Sequence, residues 1–190
     1  MSHAGTGEDD IDVTAFRNQR TAFFAEAGKC IIEYQKCEEH LEDIFTAALG
    51  GSTKRATSIF AVIRGLEAKL DAITAALSDA DASRRERWDE LRKLVGRAAA
   101  ARNQIAHSRP VSVSDPIIIV MDVSRGEPVS ASGGGNSRTE VRKKTRSGDV
   151  TWTQQLLREE FLRNFNLFRA LIDFERQLRG EPTSTPPEGL

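Results

Sequence analysis

A chain of 190 residues, 39% of them hydrophobic, fits one domain with an ordinary core and needs no second. Its 27 Lys and Arg against 28 Asp and Glu leave a net charge of -1, which demands no polyanionic partner. The longest aliphatic run, Ile117 to Met121, is far shorter than the ~20 residues of a membrane-spanning helix. With an acidic N-terminus that lacks an apolar signal core, the expectation is a soluble, cytoplasmic protein with no membrane partner. Charge is nevertheless uneven. Residues 1–50 are acidic, whereas 84–109 and 138–146 are rich in Arg and Lys, a separation able to orient a polyanion.

Residues 1–11 are small and acidic without periodicity and read as a disordered leader. From Asp12 the pattern changes. Phe16, Phe23, Ala27, Ile31, Tyr34, Leu41, Ile44, Phe45 and Ala48 recur at three- and four-residue spacing, predicting one long amphipathic helix that ends at Gly50-Gly51 and bends at Gly28. Glu38, Glu39, Glu42 and Asp43 form its solvated face. Cys30 and Cys37 stand about two turns, or ~10 Å, apart on it, too far for a mutual disulfide. Glu33, Cys37 and His40 share a face and form a partial metal site, but no distant ligand accompanies them. Buried cysteines are therefore the favoured reading, with no metal and no cofactor.

Ile59, Val62, Ile63, Leu66, Leu70, Ile73 and Leu77 predict a second helix, closed by a loop at 79–83 short enough to make its neighbours antiparallel. Ser83 with Glu86 has the capping-box spacing that opens a third helix, whose core stripe is Trp88, Leu91, Leu94, Val95, Ala98 and Ile105. A second seam runs along that helix. At 100° per residue, Gly96, Ala100, Asn103 and His107 fall in a narrow band, with Ala99 and Ala106 along its border. Small residues there let another helix approach closely, and this seam is the expected dimer interface; the alternative is an Ala-rich exposed face. Residues 111–152 leave the helical pattern: Ile117 to Val123 reads as a strand, 124–137 as a flexible loop, and 139–146 with 150–152 as a hairpin about Ser147-Gly148-Asp149. Arg109, Arg138, Arg142, Lys143, Lys144 and Arg146 are the candidate nucleic-acid contacts, although a charged, solvated strand edge explains the cluster equally well. Thr153 caps a last helix with the stripe Leu157, Phe161, Phe165, Phe168, Leu171, Ile172 and Leu178, and Gly180 ends it. The tail, 180–190, reads as disordered. The fold expected is all-α, four antiparallel helices with a small β-hairpin insertion between the third and the fourth, in one domain over 12–179.

The end of the third helix carries Arg102-Asn103-Gln104-Ile105-Ala106-His107, one base and one phosphate-binding cation just before Pro110. This stretch resembles the Arg-x4-His motif of the HEPN superfamily, with a polar residue directly after the Arg and Ile-Ala before the His. Ser108 departs from the small residue, often Gly, that frequently follows the His. The resemblance covers roughly residues 13–179. It implies a HEPN-like helical bundle, a homodimer with its site across the interface, and metal-independent endoribonuclease activity of the toxin or phage-defence kind, held in check by an inhibitory partner protein. Arg102, Asn103 and His107 are then the catalytic candidates. RNA carries its own nucleophile in the 2′-hydroxyl, so a base, a cation and in-line geometry suffice. Arg102 and His107 lie about 140° apart on an ideal helix, and a two-fold dimer resolves this by bringing both pairs into one cleft. The competing reading is a noncatalytic nucleotide- or protein-binding dimer in which His107 favours the helix dipole and Arg102 satisfies a carboxylate or carbonyl.

Overall fold

The structure, a computed structural model, describes residues 13–107, 119–120 and 151–182. Five helices make up almost all of it: α1 (Val13–Leu49), α2 (Thr53–Val62), α3 (Leu66–Ala76), α4 (Ala82–Ala106) and α5 (Gln154–Arg179). A two-residue antiparallel contact, β1 (Ile119–Val120) with β2 (Thr151–Trp152), pairs Ile119 with Trp152 and Val120 with Thr151. The hairpin partner expected at 139–146 lies outside the described residues. Among them, no helix is long and apolar enough to cross a membrane.

The axis of the molecule is α1, about 55 Å long at 1.5 Å per residue. One row of its buried residues, Phe23, Ala27, Cys30, Tyr34, Cys37, Leu41 and Ile44, alternates four- and three-residue steps. The mean of 3.5 keeps one seam turned towards a single partner over many turns. That partner is α5, whose buried row Leu157, Glu160, Asn164, Leu167, Leu171 and Phe174 has the same alternation. The Cys30 thiol donates to the Leu157 carbonyl at 2.8 Å and the Cys37 thiol to the Asn164 carbonyl at 3.5 Å. Seven residues further along one helix is thus seven further along the other, so α1 and α5 run in the same direction. α4 runs against both: Trp88, near its start, stacks on Phe174 near the end of α5, while Ile105, near its end, joins Leu157 at the start of α5.

This arrangement corrects the expected four antiparallel helices. The stripe from Ile59 to Leu77 is two helices, because Ile63 turns extended and Gly65 takes φ 82° and ψ 151°, a region only glycine occupies without strain. Ile59 and Val62 are exposed as a result. The extra break also changes the parity of the chain, which is why the first and last helices end up parallel. Two further corrections concern helix faces and caps. Phe165 is 40% exposed, since the buried row of α5 passes through the polar Glu160 and Asn164. α4 is capped by Asp81, whose carboxylate accepts from the Arg84 backbone N–H at 2.9 Å, leaving Ser83 inside the first turn. Thr153 does cap α5, accepting from the Leu156 N–H at 3.1 Å. Gly180 closes it at φ 72°, with Gly180 N–H donating to the Gln177 carbonyl and Glu181 N–H to the Arg176 carbonyl, a Schellman motif.

The main core gathers Leu41, Ile44, Phe60, Leu70, Ile73, Trp88, Leu91, Val95, Leu171 and Phe174. A smaller cluster of Phe23, Ala27, Cys30, Ile105, Trp152 and Leu157 lies beyond it. The end of α4 reaches from one cluster to the other.

Candidate functional site

The buried positions of α4 are Trp88, Leu91, Val95, Ala98 and Ile105. Their steps of three and four leave one vacancy in the series, and Arg102 occupies it. Arg102 therefore faces inward, half-buried, between Ala98 of the main core and Ile105 of the smaller cluster. Its Nη1 donates to Asn103 Oδ1 at 2.9 Å, and its Nε is buried with no hydrogen-bond partner among the described residues. The guanidinium lies close enough to α1 to act on Tyr34. Burial and the Glu38 carboxylate push that phenol above its ordinary range, and the charge of Arg102 opposes them.

His107 caps the C-terminal end of α4, its N–H donating to the Asn103 carbonyl at 3.0 Å, and its side chain is exposed. The two residues thus diverge within one chain as the helical wheel requires. Asn103 is exposed too, and its side-chain oxygen accepts from Arg102. Of the rest of the seam, Ala100 and Ala106 are exposed, Ala99 packs against the main core, and a Cβ on Gly96 would meet nothing within 4 Å. Among the described residues, no other helix uses the close approach that Gly96 permits. Arg109, Arg138, Arg142, Lys143, Lys144 and Arg146 lie outside the described residues.

Glu33, Cys37 and His40 part company. Glu33 is buried against Lys36 at 2.8 Å. Cys37 is fully buried, its thiol pushed up to about 12 by desolvation and then by Glu33. His40 instead lies between Asp43 at 3.1 Å and Glu175 at 3.5 Å, edge-on to Phe168. Among the described residues, no three His, Cys, Asp or Glu side chains are grouped to hold a metal ion.

The basic residues of α4 divide into two groups that sequence reasoning did not separate. Arg84 pairs with Asp81, Arg85 bonds the Ser78 and Ala80 carbonyls, Arg87 pairs with Glu90, and Arg92 is held by Asp71 at 2.6 Å and Glu67 at 3.4 Å. Lys93 and Arg97 are exposed and have no such partner among the described residues. No carboxylate occurs in α4 after Glu90. Comparison with protein-family models, curated proteins and solved structures returns no match, so the functional reading rests on these residues.

Proposed function

We propose that the protein is a metal-independent endoribonuclease, a HEPN-like homodimer in which α2 and α3 together take the place of one bundle helix. The observation that carries this reading is the exposed imidazole of His107, at the end of an open small-residue strip and one turn beyond the Arg102–Asn103 pair. Isologous packing of that strip brings two His107 imidazoles to one cleft, and each Arg102 joins them by turning its guanidinium out of its core-facing position. One imidazole takes the proton of the 2′-hydroxyl as its oxygen attacks phosphorus. The second protonates the departing 5′-oxygen, leaving a 2′,3′-cyclic phosphate and a 5′-hydroxyl. Arg102 holds the phosphate and offsets charge as it develops. The toxin or phage-defence setting, with an inhibitory partner protein, follows from the resemblance of the motif.

A second reading has its own support. Arg102 occupies a core-facing position and is bonded within the chain, which favours a noncatalytic nucleotide- or protein-binding dimer with Arg102 as a structural cation. RNA cleavage by wild type and His107→Ala in EDTA separates the two. The first reading expects cyclic-phosphate ends from wild type and a loss of about 10²- to 10⁴-fold in the variant, with both proteins folded and equally dimeric. Equal cleavage by both would remove His107 as the base, and none by either would leave the binding module.

A further inference from the structure

We infer that the Lys93–Arg97 edge of α4, beside the small-residue strip and leading to His107, is a binding track for the phosphate backbone of single-stranded RNA, with Lys93 and Arg97 as its cations. The substrate class rests on the ribonuclease reading; the track itself rests on the division of charges along α4. A surface cation that already has a carboxylate partner has little attraction left for a polyanion. Arg84, Arg87 and Arg92 are in that position, and Arg85 is spent on carbonyls. Lys93 and Arg97 are not, and they stand one turn apart on one side of the helix. On the wheel they lie about 40° and 80° to one side of His107, while Ala99 and Ala106 lie about 80° and 100° to the other. The cations therefore border the small-residue strip without blocking it.

Two features let a second copy pack on the strip while its cationic edge stays open. Gly96 and Ala100 leave it without bulk, and the space above Gly96 is open. Lys93 and Gly96 also line a groove between α3 and α4, with Glu67, Leu70, Asp89 and Arg92 along it. Glu67 is held by Arg92, and exposed Asp89 marks the upstream end, one turn before Lys93. From Lys93 to His107 this edge runs about 21 Å, so a strand lying along it, beside the dimer seam, passes from the two cations to the imidazole. In a dimer packed through the strip, each protomer's pair would flank the cleft.

The test is the salt dependence of binding to a single-stranded 2′-O-methyl RNA of about 12 nucleotides, which lacks the 2′-nucleophile and is not cleaved by this route. Each phosphate contact on a single strand contributes about 0.7 to the slope of log Kd against log salt. Lys93→Ala/Arg97→Ala should lower that slope by about 1.4, whereas the exposed pair on α2, Lys54→Ala/Arg55→Ala, should leave it unchanged. An unchanged slope in the first variant, an equal fall in the second, or no RNA binding by wild type overturns the track. So does a Lys93/Arg97-dependent affinity for phosphatidylglycerol vesicles with none for RNA, which would assign the strip to a membrane surface. His107→Ala should keep the wild-type slope. Failure of cleavage with the slope intact therefore removes the ribonuclease reading and spares the track.

Discussion

Glycine to alanine at positions 65 and 96 should have opposite effects, although a new Cβ meets nothing within 4 Å at either site. Since neither substitution clashes, each isolates a backbone term. At Gly65 the conformation, φ 82° and ψ 151°, forces alanine into a region that costs about 1–3 kcal/mol. Gly96 is mid-helix, where alanine gains about 1 kcal/mol of helix propensity. Urea unfolding at low protein concentration, where the monomer prevails, should show Gly65→Ala less stable and Gly96→Ala more stable than wild type by these amounts. The same two proteins also probe the proposed dimer. If α4 packs closely on its copy at Gly96, the added methyl weakens association, and sedimentation should show a larger dimer Kd for Gly96→Ala alone. A destabilised Gly96→Ala monomer together with a neutral Gly65→Ala would refute the assignment of both backbones.

Other variants test the register of α5 and the thiols. Leu171→Ala, at a fully buried position, should cost about 2–5 kcal/mol, while Phe165→Ala, at a site 40% exposed, should stay within about 1 kcal/mol; the reverse order of unfolding midpoints would mean that the opposite face of α5 is the packed one. The thiols of Cys30 and Cys37 are pushed from an ordinary 9.0 up to about 11 and about 12, chiefly by burial. Below pH 9 they are neutral in both folded and unfolded chains and contribute nothing to the pH dependence. Above it the unfolded chain releases protons that the folded one retains, so stability falls as pH rises towards about 11 to 12. Unfolding midpoints at about pH 8 and pH 10 should therefore separate more for wild type than for Cys30→Ala/Cys37→Ala, and equal separations would show that the thiols play no part.

Much of the helical order was legible because it depends on local chemistry. Thr153 and Gly180 bound α5 as cap rules require, and the long α1 follows from its periodicity. The break at Gly65 was hidden by an apolar stripe that continues on both sides of it, with Ile63 and Leu66 both packed against the core. Ser83 and Glu86 offered a capping box, but Asp81, two residues earlier, bonds the Arg84 N–H and fixes the start of α4. On α5 the expected stripe holds at Leu157, Phe161, Phe168, Leu171 and Leu178, and Phe165 turns outward because the buried row passes through Glu160 and Asn164. Asn164 Nδ2 donates to the Cys30 carbonyl, a partner 134 residues away that no local rule reveals. At the site, the divergence of Arg102 from His107 follows from 100° per residue alone. Which cations of α4 stay unpaired does not, since that depends on α3 delivering Asp71 and Glu67 to Arg92.

The parallel seam of α1 and α5 also sets an order of events. Its contacts join residues 127 apart, so at about 5–20 residues per second of synthesis roughly 6–25 s separate the emergence of the two sides. During that interval the cysteine-bearing face of α1 has no final partner, while α2, α3 and α4 are already available to pack on it. Of the described helices the last to be made is thus the one that closes the longest seam, and their assembly is timed by its arrival.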